Sequence, residues 1–113
     1  MLNDIEIWVG QPLPSSYRRF LASQGDDLPV GDFVLLYGQT SFIERNETYE
    51  TKRYCPNHIT IGDDSGGRQI LLSLDTGPLS LVDAGSMNPA FAEHISEDLT
   101  EWLSEGCPLP NED

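Results

Sequence analysis

Near the middle of the chain, two apolar runs flank the segment Gly62-Asp63-Asp64-Ser65-Gly66-Gly67. Ile59 and Ile61 precede it, and Ile70, Leu71 and Leu72 follow it. Paired glycines between β-branched runs are the sequence form of a β-hairpin, with Gly66 and Gly67 expected at positive φ. Gly62, Gly66 and Gly67 therefore read as structural turn residues. A hairpin at this position commits the chain to an antiparallel sheet, and the flanks extend it. Ile70, Leu72 and Leu74 alternate with Gln69 and Ser73. After Gly77-Pro78, Leu79, Leu81 and Asp83 alternate with Ser80 and Val82. Upstream, residues 32–37 carry strand formers up to Gly38-Gln39, and residues 40–43 are expected to return beside them. The pattern predicts a meander of about five strands.

Helical periodicity is confined to the chain ends. Residues 2–9 place Leu2, Ile5 and Trp8 on one face before Gly10, and Gln11-Pro12-Leu13-Pro14 follows as a stiff link. Ser15 or Ser16 caps a second expected helix that runs to about Gln24, with Tyr17, Phe20 and Leu21 as its stripe and Gly25 at its end. Residues 44–54 suit either a loop or a short helix. At the other end, Asn88-Pro89 opens a predicted helix to Glu105, closed by Gly106, with Phe91, Ile95, Leu99 and Leu103 recurring every fourth residue. Helices grouped at the ends around a run of strands give an α+β fold, expected as one domain over residues 1–113.

Charge narrows the function classes. The formal net charge is −13, and all six cations lie in the first 68 residues. From Gln69 onward there are nine acids and no Lys or Arg. Such a surface repels phosphate backbones and anionic membranes, which argues against direct nucleic-acid or membrane binding and for a basic protein partner. No apolar run reaches membrane-spanning length, and Met1-Leu2-Asn3-Asp4-Ile5-Glu6 lacks a basic leader pattern, so a cytoplasmic location is expected. In that compartment Cys55 and Cys107 are expected as free thiols.

On the helix expected over residues 88–105, Glu93, Glu97, Glu101 and Glu105 form a row nearly opposite the apolar stripe, flanked by Asp98. Like charges at this spacing cost stability, which points to a binding role for Glu93, Glu97, Asp98 and Glu101, with Asp63 and Asp64 at the hairpin tip. The bland alternative is a solvated face.

Catalytic and metal motifs fail their context tests. Asp64-Ser65-Gly66-Gly67 is similar to the nucleophile segment of trypsin-like proteases, but His58 lies only seven residues away and the chain is too short for two barrels. The acids at 63 and 64 do not continue into an EF-hand pattern. Cys55 and His58 make a single C-x-x-H pair, short of a zinc set. No enzyme, metal or cofactor is expected.

Three ordered segments resemble one family. Leu13-Pro14-Ser15-Ser16-Tyr17-Arg18-Arg19-Phe20-Leu21 is similar to its Leu-Pro-x-x-Tyr-x-x-Phe-Leu helix. Ile61-Gly62-Asp63-Asp64-Ser65-Gly66-Gly67 resembles its Ile-Gly-Asp-Asp-Gly-Gly-Gly turn, with Ser65 in place of a glycine. Phe91 and Glu101-Trp102-Leu103 resemble the start and end of its closing helix. The family is the SUKH superfamily (SMI/KNR-like), whose members include many bacterial immunity proteins. Two departures stand beside the likeness: Gln24 replaces an Asn before Gly25, and the chain is short. The resemblance implies an α+β fold around a twisted antiparallel sheet. It also implies a non-enzymatic role in binding and neutralising a cognate toxin, often a basic nuclease. The other expectation is an intracellular regulatory or scaffolding module without a toxin partner.

Overall fold

Six strands pair consecutively and antiparallel in the computed structural model, which describes residues 2–110. They are β1 (Leu28–Val30), β2 (Val34–Leu36), β3 (His58–Asp63), β4 (Arg68–Ser73), β5 (Leu79–Asp83) and β6 (Glu93–Ser96). The helices are α1 (Leu2–Val9), α2 (Ser15–Ala22), α3 (Phe42–Thr48), α4 (Thr51–Tyr54) and α5 (Leu99–Ser104), with a 3-10 turn at Pro89–Phe91. The fold is α+β, with helices at the N-terminal end and a helix near the C-terminal end, as the sequence pattern predicts.

One sheet face carries the main core. Ile59, Ile61, Ile70, Leu72, Leu79 and Leu81 pack there with Ile5, Tyr17, Leu21, Phe42, Leu99 and Trp102 from the helices. The other face is also closed. Leu71 and Val82 bury against Cys55 and Met87, with Tyr49 and Ala92 at the margin. Central strand β4 is thus apolar on both faces from Ile70 to Leu72, each side chain contributing about 1.5–3 kcal/mol through burial.

Three expectations are corrected. The sheet has six strands, because β1 and β6 were not predicted. β1 is three residues long and contains Pro29, which is tolerated at a sheet edge because its missing N–H has no ladder to join. The return strand expected at residues 40–43 does not form. Gly38 stands so close to the preceding loop that an added Cβ would lie 2.3 Å from the Asp26 carbonyl oxygen. The chain then folds back, with Gln39 and Thr40 N–H groups donating to the carbonyls of Gln24 and Gly25, and Phe42 opens α3.

The third correction concerns residues 88–105. Asn88 Oδ1 accepts the Ala90 N–H at 3.0 Å, but it caps only the 3-10 turn, after which Ala92 is extended. Residues 93–96 then form β6, pairing Glu93 with Leu81 and Ser96 with Leu79 around a bulge. β5 is the reason: without β6, its outer backbone groups would lack partners beside a buried core. A new cap at Asp98, whose Oδ1 accepts the Glu101 N–H at 3.1 Å, starts the short α5. Gly106, at φ +85, closes it as expected.

The second helix is also shorter than expected. Pro14 occupies its N-cap without a side-chain bond, and Ser23 ends it two residues before Gly25.

Candidate functional site

The strand registers put three turns at the same end of the sheet. Val30 pairs with Val34, Asp63 with Gln69, and Arg68 with Asp83. The turns 31–33 and 64–67 and the connection 84–92 therefore project together. The opposite end carries the β4–β5 turn and the β6–α5 junction at Glu97-Asp98.

The 64–67 turn is built by its own aspartates. Asp64 is buried, and its Oδ1 accepts the N–H groups of Gly66 at 2.8 Å and Arg68 at 3.0 Å. Its Oδ2 takes the Arg68 Nε–H at 2.8 Å. Burial opposes the charge on Asp64, but these backbone and guanidinium donors outweigh it and hold the carboxyl below its ordinary range. Asp63 Oδ1 accepts the Ser65 N–H at 2.9 Å, and its Oδ2 accepts the Tyr37 hydroxyl proton at 2.8 Å. Burial first, and then the hydrogen bond to Asp63, raises the Tyr37 pKa, so the phenol stays protonated.

The glycine roles differ from expectation. Positive φ falls on Ser65 (62°) and Gly67 (94°), not on Gly66. Ser65 thus occupies a left-handed position that normally favours glycine. Gly62 matters for close approach, since a Cβ there would lie 2.4 Å from the Leu35 carbonyl oxygen.

Of the six acids singled out from sequence, the four expected on the last helix are divided, and Glu93 joins the hairpin-tip pair Asp63 and Asp64. Arg68 joins the turn to β6, with Nη1 3.6 Å from Glu93 Oε1 while its Nε holds Asp64. Asp63, Asp64 and Glu93 therefore sit together at the turn end. Glu97, Asp98 and Glu101 lie at and beyond the far end of β6, all exposed. His94 Nε2 stands 3.4 Å from Glu97 Oε2, and Asp98 is committed in part to capping α5. Glu105, expected on the same row, is the C-cap of α5 and lines a groove with Asp32 and Phe33.

Three of the six cations face acids elsewhere. Arg18 pairs with Glu6, Arg45 with Glu44 and Arg53 with Glu50. Lys52 lies over the Trp8 ring, 4.1 Å from its centroid. Among the described residues, no Lys or Arg forms an ion pair with Glu97, Asp98, Glu101 or Glu105.

The cysteines are both free and buried. Burial raises both thiol pKa values, that of Cys107 to about 11, so neither is a thiolate at neutral pH. The Cys55 thiol donates to the Met87 carbonyl at 3.3 Å, and His58 Nδ1 lies 2.9 Å from the Pro56 carbonyl oxygen. No cluster of three His, Cys, Asp or Glu side chains among the described residues is placed to hold a metal ion. No helix among them is long and apolar enough to cross a membrane.

The sequence matches the family model described as SMI1 / KNR4 family (SUKH-1) over residues 1–105. The chain belongs to that family. The match takes in every SUKH-1 element described above, from α1 to the end of α5. Comparison with curated proteins gives no match. SUKH-1 membership is consistent with an immunity-type protein of a generally non-enzymatic kind.

The exposure of Phe33 and Phe91 beside Asp32 and Glu93 at the turn end was not expected from sequence. The signal was an aromatic placed beside turn formers, in Gly31-Asp32-Phe33 and Asn88-Pro89-Ala90-Phe91. In the second case, helical periodicity assigned Phe91 to the core; it is 79% exposed.

Proposed function

We propose that this chain is an immunity-type protein that binds and neutralises a cognate toxin through its acidic surface, the toxin being a basic, nuclease-type domain. The observation that carries the reading is the one-sided pairing of charge. Glu97, Asp98, Glu101 and Glu105 face solvent with no Lys or Arg ion pair among the described residues, in a SUKH-1 chain of net charge −13. Uncompensated carboxylates raise the local concentration of a basic partner and speed its association. Occupying a cationic substrate groove with carboxylates is a direct way to block a nuclease.

The proposed partner-binding acids form two sets: Glu93, Asp63 and Asp64 stand at the turn end, and Glu97, Asp98 and Glu101, at and beyond the far end of β6, attract and steer the basic partner. Co-expression with the product of the adjacent reading frame tests the reading. Relief of its toxicity and a co-purifying complex are expected. A toxic neighbour that is neither bound nor neutralised would overturn it. Within a complex, Glu97→Lys with Glu101→Lys should slow association and flatten its dependence on salt.

A further inference from the structure

The turn end of the sheet exposes large apolar side chains where turn tips normally carry small polar ones. Four large hydrophobics are exposed among the described residues, and two of them, Phe33 (54%) and Phe91 (79%), sit at this end. Phe33 lies in the β1–β2 turn and shares a groove with Asp32, Glu105 and Pro108. Phe91 ends the 3-10 turn two residues before Glu93. The 64–67 turn projects between them, its own carboxylates turned to its backbone and to Arg68.

We infer that this end of the sheet is the docking surface, with Phe33 and Phe91 as apolar anchors for an arginine-bearing face of a basic protein partner. The inference rests on the immunity-type reading and specifies where and how that partner binds. Six strands at about 4.8 Å spacing separate the two edges by roughly 24 Å, comparable to the breadth of a standard protein–protein interface. Exposed aromatics ringed by polar groups are the usual form of binding anchors.

The surrounding charge selects the occupant. Asp32, Asp83 and Glu105 stand exposed around the anchors, and Arg68, the only Lys or Arg in the three turns and their flanks, is held by Asp64 and Glu93. A second copy of this chain would bring carboxylates against carboxylates, and an anionic membrane would be repelled. Arginine satisfies both features, because its guanidinium stacks on phenylalanine faces while pairing with carboxylates.

The test uses the complete chain and the basic product of the adjacent reading frame, with association and dissociation rates measured separately. Phe33→Ala with Phe91→Ala should raise the dissociation rate by on the order of 30-fold or more and leave the salt dependence of association intact. Glu97→Lys with Glu101→Lys should act mainly on association. Because Phe91 is so exposed, Phe91→Ala alone serves if the double variant shifts the unfolding midpoint. A wild-type complex whose dissociation is unchanged by either Phe variant overturns this inference and leaves the immunity-type reading standing. No complex with wild type removes both. Light scattering that shows a dimer dissociated by the Phe variants would identify a second copy as the occupant and overturn the inference.

Discussion

Asn46 does the work of a missing strand residue. β2 pairs with β3 only at Leu35–Asp63 and Leu36–Gly62, so the backbone of Thr60 has no β-partner on that side. The buried Asn46 side chain supplies one: Nδ2 donates to the Thr60 carbonyl at 3.0 Å, and Oδ1 accepts the Thr60 N–H at 2.9 Å. A primary amide matches both backbone groups as a peptide would. Asn46→Ala strands a buried donor and a buried acceptor, and should destabilise the chain by about 2–4 kcal/mol in denaturant titration. Asn46→Asp should be no better, because its carboxylate faces the Thr60 carbonyl. Asp64 gives a prediction with a pH sign. Its folded pKa is depressed, so its contribution is complete above the ordinary Asp value of about 4 and is lost as pH falls through the lower folded value. Asp64→Asn should therefore unfold more easily than wild type at pH 7, with the gap narrowing on acidification below pH ~4 as the wild-type carboxyl takes up its proton. A gap constant from pH 7 to pH 2 would contradict that account. Neither role was legible in the sequence. Asn46 lies in an ambiguous polar run, and the partners that bury it are 14 residues away.

At the scale of elements, legibility followed how local the determining interactions are. The hairpin β3–β4, strand β5 and helix α1 were readable because alternation, turn glycines and an amphipathic stripe all lie within each segment. The segment 88–105 was misread because two signals competed. The fourfold spacing of Phe91, Ile95, Leu99 and Leu103 suggested one helix, while Asp98-Leu99-Thr100-Glu101 has the spacing of a fresh capping box. The open edge of β5, a tertiary feature, decided between them. The acidic row thereby became two groups, Glu93 on β6 and Glu97, Asp98 and Glu101 at and beyond its far end. The cap gives a direct check. Asp98→Ala removes the acceptor of the Glu101 N–H and should cost about 1 kcal/mol, read as a lower unfolding midpoint. Asp98→Asn or Asp98→Ser should restore most of it, which separates capping from charge. The turn offers the opposite sign. Ser65 holds φ 62° and its side chain makes no hydrogen bond in the turn, so Ser65→Gly should relieve left-handed strain and stabilise by up to about 1 kcal/mol. An unchanged or lower midpoint would mean that the loss of glycine's unfolded-state freedom outweighs the strain.

For the whole molecule, the dominant quantity is the −13 net charge and how little of it the fold neutralises internally. The ion pairs present are mostly local, such as Arg45–Glu44 and Arg53–Glu50, and residues 69–113 contain no Lys or Arg. Self-repulsion among the remaining carboxylates opposes the compact state. The molecule extends 38 × 28 × 23 Å, so at 10 mM salt, where screening reaches about 30 Å, nearly every pair of acids interacts. At 150 mM the range falls to about 8 Å, and only neighbours still repel. The melting temperature should therefore rise between 10 and 150 mM NaCl, whereas a chain held mainly by exposed salt bridges would lose stability. Glu97→Lys with Glu101→Lys reduces the net negative charge by four units and should reduce that rise while raising stability at low salt. If binding a basic partner is what maintains this acidity, the same double variant should be more stable alone and slower to associate. Those two readouts separate a solvated face from a binding one. A solvated face predicts the gain in stability with no change in association.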